Sequence, residues 1–255
     1  MNYALYISAS GALNAMYRQD VLTGNLSNVN TAGFKPDRVV TRQRDPARVE
    51  DSLPYMPSSV LLERLGAGVM GVPGGVDFAQ GAIVQSGNPL DVALRGDGFL
   101  TLLNQSGDGR TLLTRDGRLT LNAKGQLALA ADGTPLANPR GRPIELDPTA
   151  PVTIHADGTI EQRGEIVASL ALADVRDRAA LKKEGQGRFA LQAGATLTPA
   201  TGLVEQFAVE QSAVNEIAAL MEIEAAARDA QANLGMIAYQ DRLLEQAISR
   251  FARVA

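Results

Sequence analysis

The sequence predicts an α+β protein in which α-helices at the two chain ends pair as a coiled-coil-like bundle, with a central antiparallel β-rich domain between them. Two observations support this fold class. Apolar residues recur three and four positions apart over 2–28 and again over 220–251, which is the spacing of one helix face. Between these segments, short apolar runs are separated by Asp-Gly and Lys-Gly pairs, which are turn signals.

The N-terminal helix is predicted from apolar and small residues that recur at helical spacing, among them Leu5, Ala12 and Met16. Glycine in Thr-Ala-Gly at 31–33 and the following Pro36 are helix-breaking signals, because glycine readily takes a positive φ past a helix end. We therefore expect the helix to end near Val29.

The C-terminal region from 204 onward has no proline, and its apolar residues keep a 3-4 spacing that only Asp241 interrupts. We call this series the C-terminal seam: Leu220, Ile223, Ala227, Ala230, Leu234, Ile237, Asp241, Leu244, Ile248 and Phe251. It would extend about 47 Å along a helix at 1.5 Å per residue. A helix of this length cannot cover its own apolar stripe, so the seam predicts a partner helix.

The middle of the chain divides into a connector and a β-rich segment. The connector contains several prolines and glycines, and its basic residues are compatible either with a solvated linker or with a strip that contacts another subunit. In the β-rich segment the strand candidates are 112–114, 119–121, 127–129, 152–154 and 166–172. We expect three parts: a discontinuous helical domain of 1–35 with 204–255, an extended connector of 36–75, and a β-rich domain of 76–203.

The composition argues against several kinds of chemistry. The chain has no cysteine, a single histidine, His155, and a net charge of −4, which disfavours thiolate catalysis, cysteine-bound zinc and nucleic-acid binding. The Asp-Gly pairs lack the ligand pattern of a calcium loop, so we interpret them as turns. The alternative is a carbohydrate-active hydrolase that uses two carboxylates, with Asp97 and Asp116 as candidates.

Four segments of the chain carry recognisable motifs. The first lies at 24–35, where the motif Asn-Leu-Ala-Asn-x-x-Thr-x-Gly-Phe-Lys is matched by Asn25, Leu26, Asn28, Thr31, Gly33, Phe34 and Lys35, with Ser27 as a departure. The others lie in order at 87–99, 113–127 and 210–215. In these four segments the chain resembles the flagellar basal-body rod and hook family. In the last of these Ala213 replaces an asparagine, and in the C-terminal seam Ala227 and Ala230 replace larger residues. We therefore expect a closer helix contact.

The resemblance implies a structural subunit of the rod that is not an enzyme and needs no cofactor, metal or small-molecule substrate. Its partners would be other rod proteins, copies of itself and the flagellar type III export apparatus, with no nucleic acid and no membrane insertion. The sequence at 1–8 lacks the pattern of a cleavable signal, so we expect signal-independent export to the periplasmic part of the basal body.

The apolar stripes and the motif together give the residues that we expect at assembly interfaces. These are Leu5, Leu22, Asn25, Leu26, Asn28, Thr31, Gly33, Phe34, Leu220, Ile223, Ala227, Ala230, Leu234, Ile237, Leu244, Ile248 and Phe251. Physical reasoning from sequence leaves the form of assembly open. Contact between unlike surfaces gives an open helical polymer, contact between like surfaces gives a closed complex, and docking of the helices on the chain's own β domain gives a monomer.

Overall fold

The structure is a computed structural model that describes residues 3–45, 67–104 and 110–252. Part of the connector, the Asp-Gly pair at 108–109 and the side chain of Phe251 lie outside the described residues. The chain forms two compact units. The first comprises Met1–Ser27, Asp37–Gly75 and Asn215–Ala255, and the second comprises Asn28–Pro36 and Val76–Val214.

The first unit contains two long helices, α1 (Tyr3–Ser27) and α2 (Glu216–Ala252). The α1 helix ends two residues before the position expected from the sequence. The α2 helix begins after Asn215, whose side-chain oxygen accepts the amide of Ala218 at 3.0 Å and so caps the helix.

The two helices pack along each other and run antiparallel. Gly11 of α1 lies against Asn233 of α2, and this contact fixes the register. The longer part of α1 lies after Gly11. The covered part of α2 runs from Ala219 to Gln240, and most of it lies before Asn233. Only an antiparallel pair brings these two longer parts side by side. The predicted α+β fold with paired terminal helices is therefore confirmed.

Two paired strands occupy much of the described connector: β1 (Asp37–Gln43) and β2 (Val69–Val76). They run antiparallel, because Arg44 exchanges backbone hydrogen bonds with residues 67 and 68 at one end, and Arg38 lies beside Gly74 at the other. The ribbon packs on α1, where the Ser10 hydroxyl accepts the amide of Val69 at 3.2 Å. The sequence indicated an extended segment here but gave no signal for this pairing.

The second unit is an assembly of short antiparallel strands. The strands are β3 (Ile83–Gln85), β4 (Val92–Arg95), β5 (Phe99–Leu102), β6 (Leu112–Thr114), β7 (Leu119–Leu121), β8 (Leu127–Leu129), β9 (Val152–Ile154), β10 (Thr159–Gln162), β11 (Glu165–Ser169), β12 (Leu172–Val175), β13 (Leu181–Gly185), β14 (Arg188–Leu191), β15 (Leu197–Pro199), β16 (Leu203–Gln206) and β17 (Ala208–Glu210). They form a six-stranded sheet of order β13-β14-β6-β5-β12-β15, a three-stranded sheet β11-β10-β9, and the pairs β16-β4, β17-β3 and β7-β8.

Most strand candidates occur as expected, with two differences. The candidate at 166–172 is divided between β11 and β12, because β11 pairs with β10 while β12 pairs with β5 in another sheet. The segment 203–210 forms β16 and β17, whereas the sequence predicts a helical domain from 204 onward. These two strands pair with β4 and β3, which lie far earlier in the chain. The local sequence at 203–210 therefore does not predict them.

The turn interpretation of the Asp-Gly pairs agrees with the local hydrogen bonds. The carboxylates of Asp132 and Asp157 each accept the backbone amide two residues further on, at 2.9 Å. Between the strands, a large apolar core and a smaller apolar cluster around Phe99 and Phe189 fill the second unit.

Candidate assembly surfaces

The motif segment 28–36 belongs to the second unit and is held there by a buried ionic network. Lys35 donates from Nζ to Glu210 Oε1 at 2.6 Å and to the carbonyl of Ala79 at 2.7 Å. The other carboxylate oxygen of Glu210 accepts from Arg115 Nη1 at 3.2 Å. The Lys35 and Glu210 side chains are at most 1% exposed, so this is an interior pair.

The network contains two cations and one carboxylate, and backbone groups complete it. The amide of Gly81 donates to Glu210 Oε1 at 2.8 Å, and Arg115 donates from Nη2 to the carbonyl of Gly96 at 2.7 Å. Burial lowers the pKa of Lys35 below its ordinary value of 10.5, and the Glu210 carboxylate opposes this shift. Glu210 is therefore the group that makes two buried positive charges tolerable.

Gly33 and Phe34 anchor the same segment. Gly33 has a φ of +65°, and a Cβ placed on it would lie 2.3 Å from the carbonyl group of Arg115, so only glycine fits. Its amide donates to the carbonyl of Glu210 at 2.8 Å. The ring of Phe34 lies under the Lys183 ammonium, 4.4 Å from Nζ to the ring centroid.

The remaining motif residues also make local contacts. Asn25 is buried in the first unit and bonds to both backbone groups of Asp37, donating to its carbonyl at 2.8 Å and accepting its amide at 2.9 Å. In the second unit, the Thr31 hydroxyl donates to the side chain of Asn28 at 3.2 Å. These contacts explain the motif within one subunit, and the role of its residues in an assembly interface stays a prediction.

The C-terminal seam divides between a covered and an uncovered side of α2. Ile223, Ala230 and Ile237 are buried or half-buried, whereas Leu220 is 49% and Leu234 is 47% exposed. The stripe that is covered is rotated from the expected one. It consists of Ala219, Ile223, Ala226, Ala230, Asn233, Ile237 and Gln240, while Ala227 is half-buried beside it.

Small residues account for this rotation. Ser8, Ala12 and Ala15 are buried on α1, as are Ala219 and Ala226 on α2. A Cβ on Gly11 would lie only 2.6 Å from the side-chain oxygen of Asn233, so the helices approach closely at this point. The larger candidates Leu5, Leu22 and Leu26 of α1 are only half-buried. The expected interface residues include Ala230 but omit Ala219 and Ala226, although both lie in register with it at alternating steps of three and four.

Beyond Gln240 the α2 helix continues with every position of 241–250 exposed. Leu244 is 43% and Ile248 is 68% exposed. Both were expected at an interface, and nothing described in this structure covers them.

The residues that could have supported catalysis are engaged in ion pairs. Asp97 pairs with Arg178, which holds the pKa of that carboxyl below its ordinary value of 3.8. Asp116 accepts two hydrogen bonds from the guanidinium of Arg118, and His155 Nε2 lies 2.9 Å from Glu161 on the surface. Among the described residues there is no metal-ligand cluster, and no described helix is long and apolar enough to span a membrane.

A β-rich unit with a packed core, together with long helices whose apolar residues are only partly covered, defines a structural subunit built for association. Two family models match the chain: the flagella basal body rod protein over residues 5–35, and the flagellar hook protein FlgE/F/G D1 domain over residues 93–166. The first covers α1 with the motif, and the second covers much of the β-rich unit.

Curated relatives agree over nearly the full length. The flagellar basal-body rod protein FlgF of Caulobacter vibrioides is 29% identical over 89% of both chains. FlgF of Escherichia coli is 29% identical over 94% of this chain and 95% of its own. FlgG of Caulobacter vibrioides is 26% identical over 95% of this chain and 97% of its own. The chain is therefore similar to the flagellar basal-body rod and hook family over nearly its whole length.

Proposed function

We propose that this chain is a structural subunit of the bacterial flagellar rod, which assembles through its terminal helices into the axial shaft that transmits torque. The observation that carries the proposal is the C-terminal helix, on which Leu220, Leu234 and Ile248 remain 47–68% exposed after α1 has packed against it. Exposed large apolar residues gathered on one helix are typical of interaction sites. Similarity to the rod and hook family supports rod proteins as the partners of that surface.

Within the rod, we propose a position like that of the relatives named FlgF. Two full-length relatives with that name match at 29% identity, against 26% for a FlgG relative of similar coverage. A FlgG-like position in the distal rod is the second candidate, because that relative also aligns over the whole chain. In either position the partners are neighbouring rod proteins and further copies of this chain.

The route and the compartment follow from the same proposal. The subunit leaves the cytoplasm through the flagellar type III export apparatus and is built into the rod in the periplasmic space. This part rests on the resemblance to the rod and hook family. We also propose that the chain has no catalytic role, since Asp97 and Asp116 are held in ion pairs with arginines and are not poised as an acid and a nucleophile.

Cross-linking in assembled basal bodies tests the proposal. The chain has no cysteine, so single substitutions such as Leu220→Cys and Leu234→Cys give unambiguous products. Both positions are about half exposed on α2. We expect a bifunctional thiol–amine reagent to link each variant to rod proteins in isolated basal bodies, with Lys124→Cys, in a turn of the β-rich unit, as the comparison. Absence of the chain from isolated basal bodies would refute the proposed function.

A further inference from the structure

The α1 helix carries a second apolar stripe, on the side away from its covered residues. Tyr6, Leu13 and Met16 are 58%, 68% and 40% exposed, and the half-buried Ala9 completes a 3-4-3 spacing. We call these four residues the outer stripe. No charged side chain occurs between Tyr3 and Tyr17, so this part of the helix has no ionic group to keep it solvated. Exposed apolar spacing of this kind predicts a further helix partner.

The α2 helix carries a matching surface at its C-terminal end, over residues 241–252, which we call the overhang. The covered stripe of α2 runs in alternating steps of four and three as far as Gln240. The next steps fall on Leu244 and Ala247, with Ile248 beside them. The same apolar stripe that packs on α1 therefore continues into the overhang, where these residues are exposed.

We propose that the overhang of one copy receives the outer stripe of α1 from a second copy. The inference rests on the proposed function and specifies which helical surfaces meet. It follows first from continuity, because the overhang prolongs a stripe that is already an α1-binding surface in the same chain. A second copy supplies the same helix type without requiring new chemistry.

Length and charge favour this occupant. The outer stripe spans about 15 Å and the overhang about 18 Å at 1.5 Å per residue, so one can cover the other. The charged residues of the overhang are two acidic and two basic: Asp241, Arg242, Glu245 and Arg250. An uncharged helix can approach this balanced surface without like-charge repulsion.

The two surfaces are unlike each other, and this determines the form of assembly. A contact between different patches of identical subunits does not close on itself unless the rotation closes a ring, and it otherwise generates an open helical array. Within one copy Leu13 and Ile248 cannot meet. Leu13 lies close in sequence to Gly11, which is level with Asn233, and Ile248 lies about 22 Å further along α2 at 1.5 Å per residue. A bond between positions 13 and 248 therefore reports a contact between copies.

Disulfide trapping between two single-cysteine variants tests the inference. Full-length Leu13→Cys and Ile248→Cys chains, distinguished by different epitope tags, are co-expressed in a motile strain and oxidised in isolated basal bodies. A disulfide requires Cα atoms within about 7 Å, so it forms only if the two patches are in contact. The matched control pairs Leu13→Cys with Glu224→Cys, a similarly exposed α2 position outside the overhang.

We expect the yield of the mixed-tag disulfide between positions 13 and 248 to exceed that of the control at least tenfold. A second reporter, Met16→Cys, should also form a disulfide with Ile248→Cys, and adding Leu13→Glu to the Met16→Cys chain should abolish that disulfide. An equal yield in both pairs would overturn the inference. So would trapping of position 248 on another rod protein. In either case, presence of the chain in basal bodies would leave the proposed rod function intact, so the two failures are distinguishable.

Discussion

Glu210→Gln is expected to destabilise the β-rich unit strongly. The side chain keeps its size but loses the charge that Lys35 and Arg115 share in the interior. Removing one partner of a buried ion pair typically costs about 3–5 kcal/mol, because the remaining charge stays buried without compensation. Here two cations would remain, so we place the loss in that range. With a urea dependence of about 1–3 kcal/mol per molar, the unfolding midpoint should fall by about 1–5 M.

The control is Glu205→Gln, which removes the same charge five residues earlier. Glu205 pairs with Arg95 at 2.6 Å, but the two side chains are 35% and 64% exposed. Exposed ion pairs contribute about 0–1 kcal/mol, so this variant should unfold nearly as the parent does. Lys35→Met should fall between the two, since it leaves Glu210 paired with Arg115 and the network neutral.

The measurement must report on the β-rich unit alone, because a chain of two units need not unfold in one transition. Hydrogen exchange with mass spectrometry along a urea series gives a midpoint for peptides of the β-rich core. Equal midpoints for Glu210→Gln and Glu205→Gln would refute the reasoning. So would a larger loss for Lys35→Met than for Glu210→Gln, because the network would then not depend on the carboxylate.

Three further predictions concern other features. Gly33→Ala should lower the thermal midpoint of the β-rich unit more than Gly133→Ala. Both positions have a positive φ, which costs alanine about 1–2 kcal/mol, but only at Gly33 would the added Cβ lie 2.3 Å from backbone atoms. Gly24→Ala, whose Cβ meets nothing within 4 Å, should stabilise the helical circular-dichroism signal by about 0.5–1 kcal/mol, whereas Gly11→Ala should gain less because of the contact with Asn233. The lowered pKa of Asp97 gives stability that is present above pH 3.8 and lost as the pH falls through the lower folded-state pKa. An acid titration of stability should therefore be shallower for Asp97→Asn, and an unchanged slope would contradict that assignment.

The sequence determined the features that depend on local chemistry. The 3-4 spacing of apolar residues gave both long helices, because helical periodicity is a property of neighbouring residues. Aspartate followed by glycine gave the turns, because the carboxylate bonds to the backbone only two residues away, as at Asp132 and Asp157. Asn25, Gly33 and Phe34 carry the resemblance to the rod and hook family, although the pattern does not reveal what these side chains contact.

The tertiary structure decided what depends on distant partners. Lys35 and Glu210 are far apart in the chain, so their pairing, and the reason for a lysine in the motif, appeared only when the β-rich unit was folded. The strands β16 and β17 are identified only by their pairing with β4 and β3 in the folded structure. The side of α2 that faces α1 was set by how closely Ala226 and Gly11 allow the helices to approach, which periodicity does not specify. For this protein, local patterns determined the two long helices and the Asp-Gly turns, whereas packing between distant segments determined the late strands and the helix faces that stay exposed.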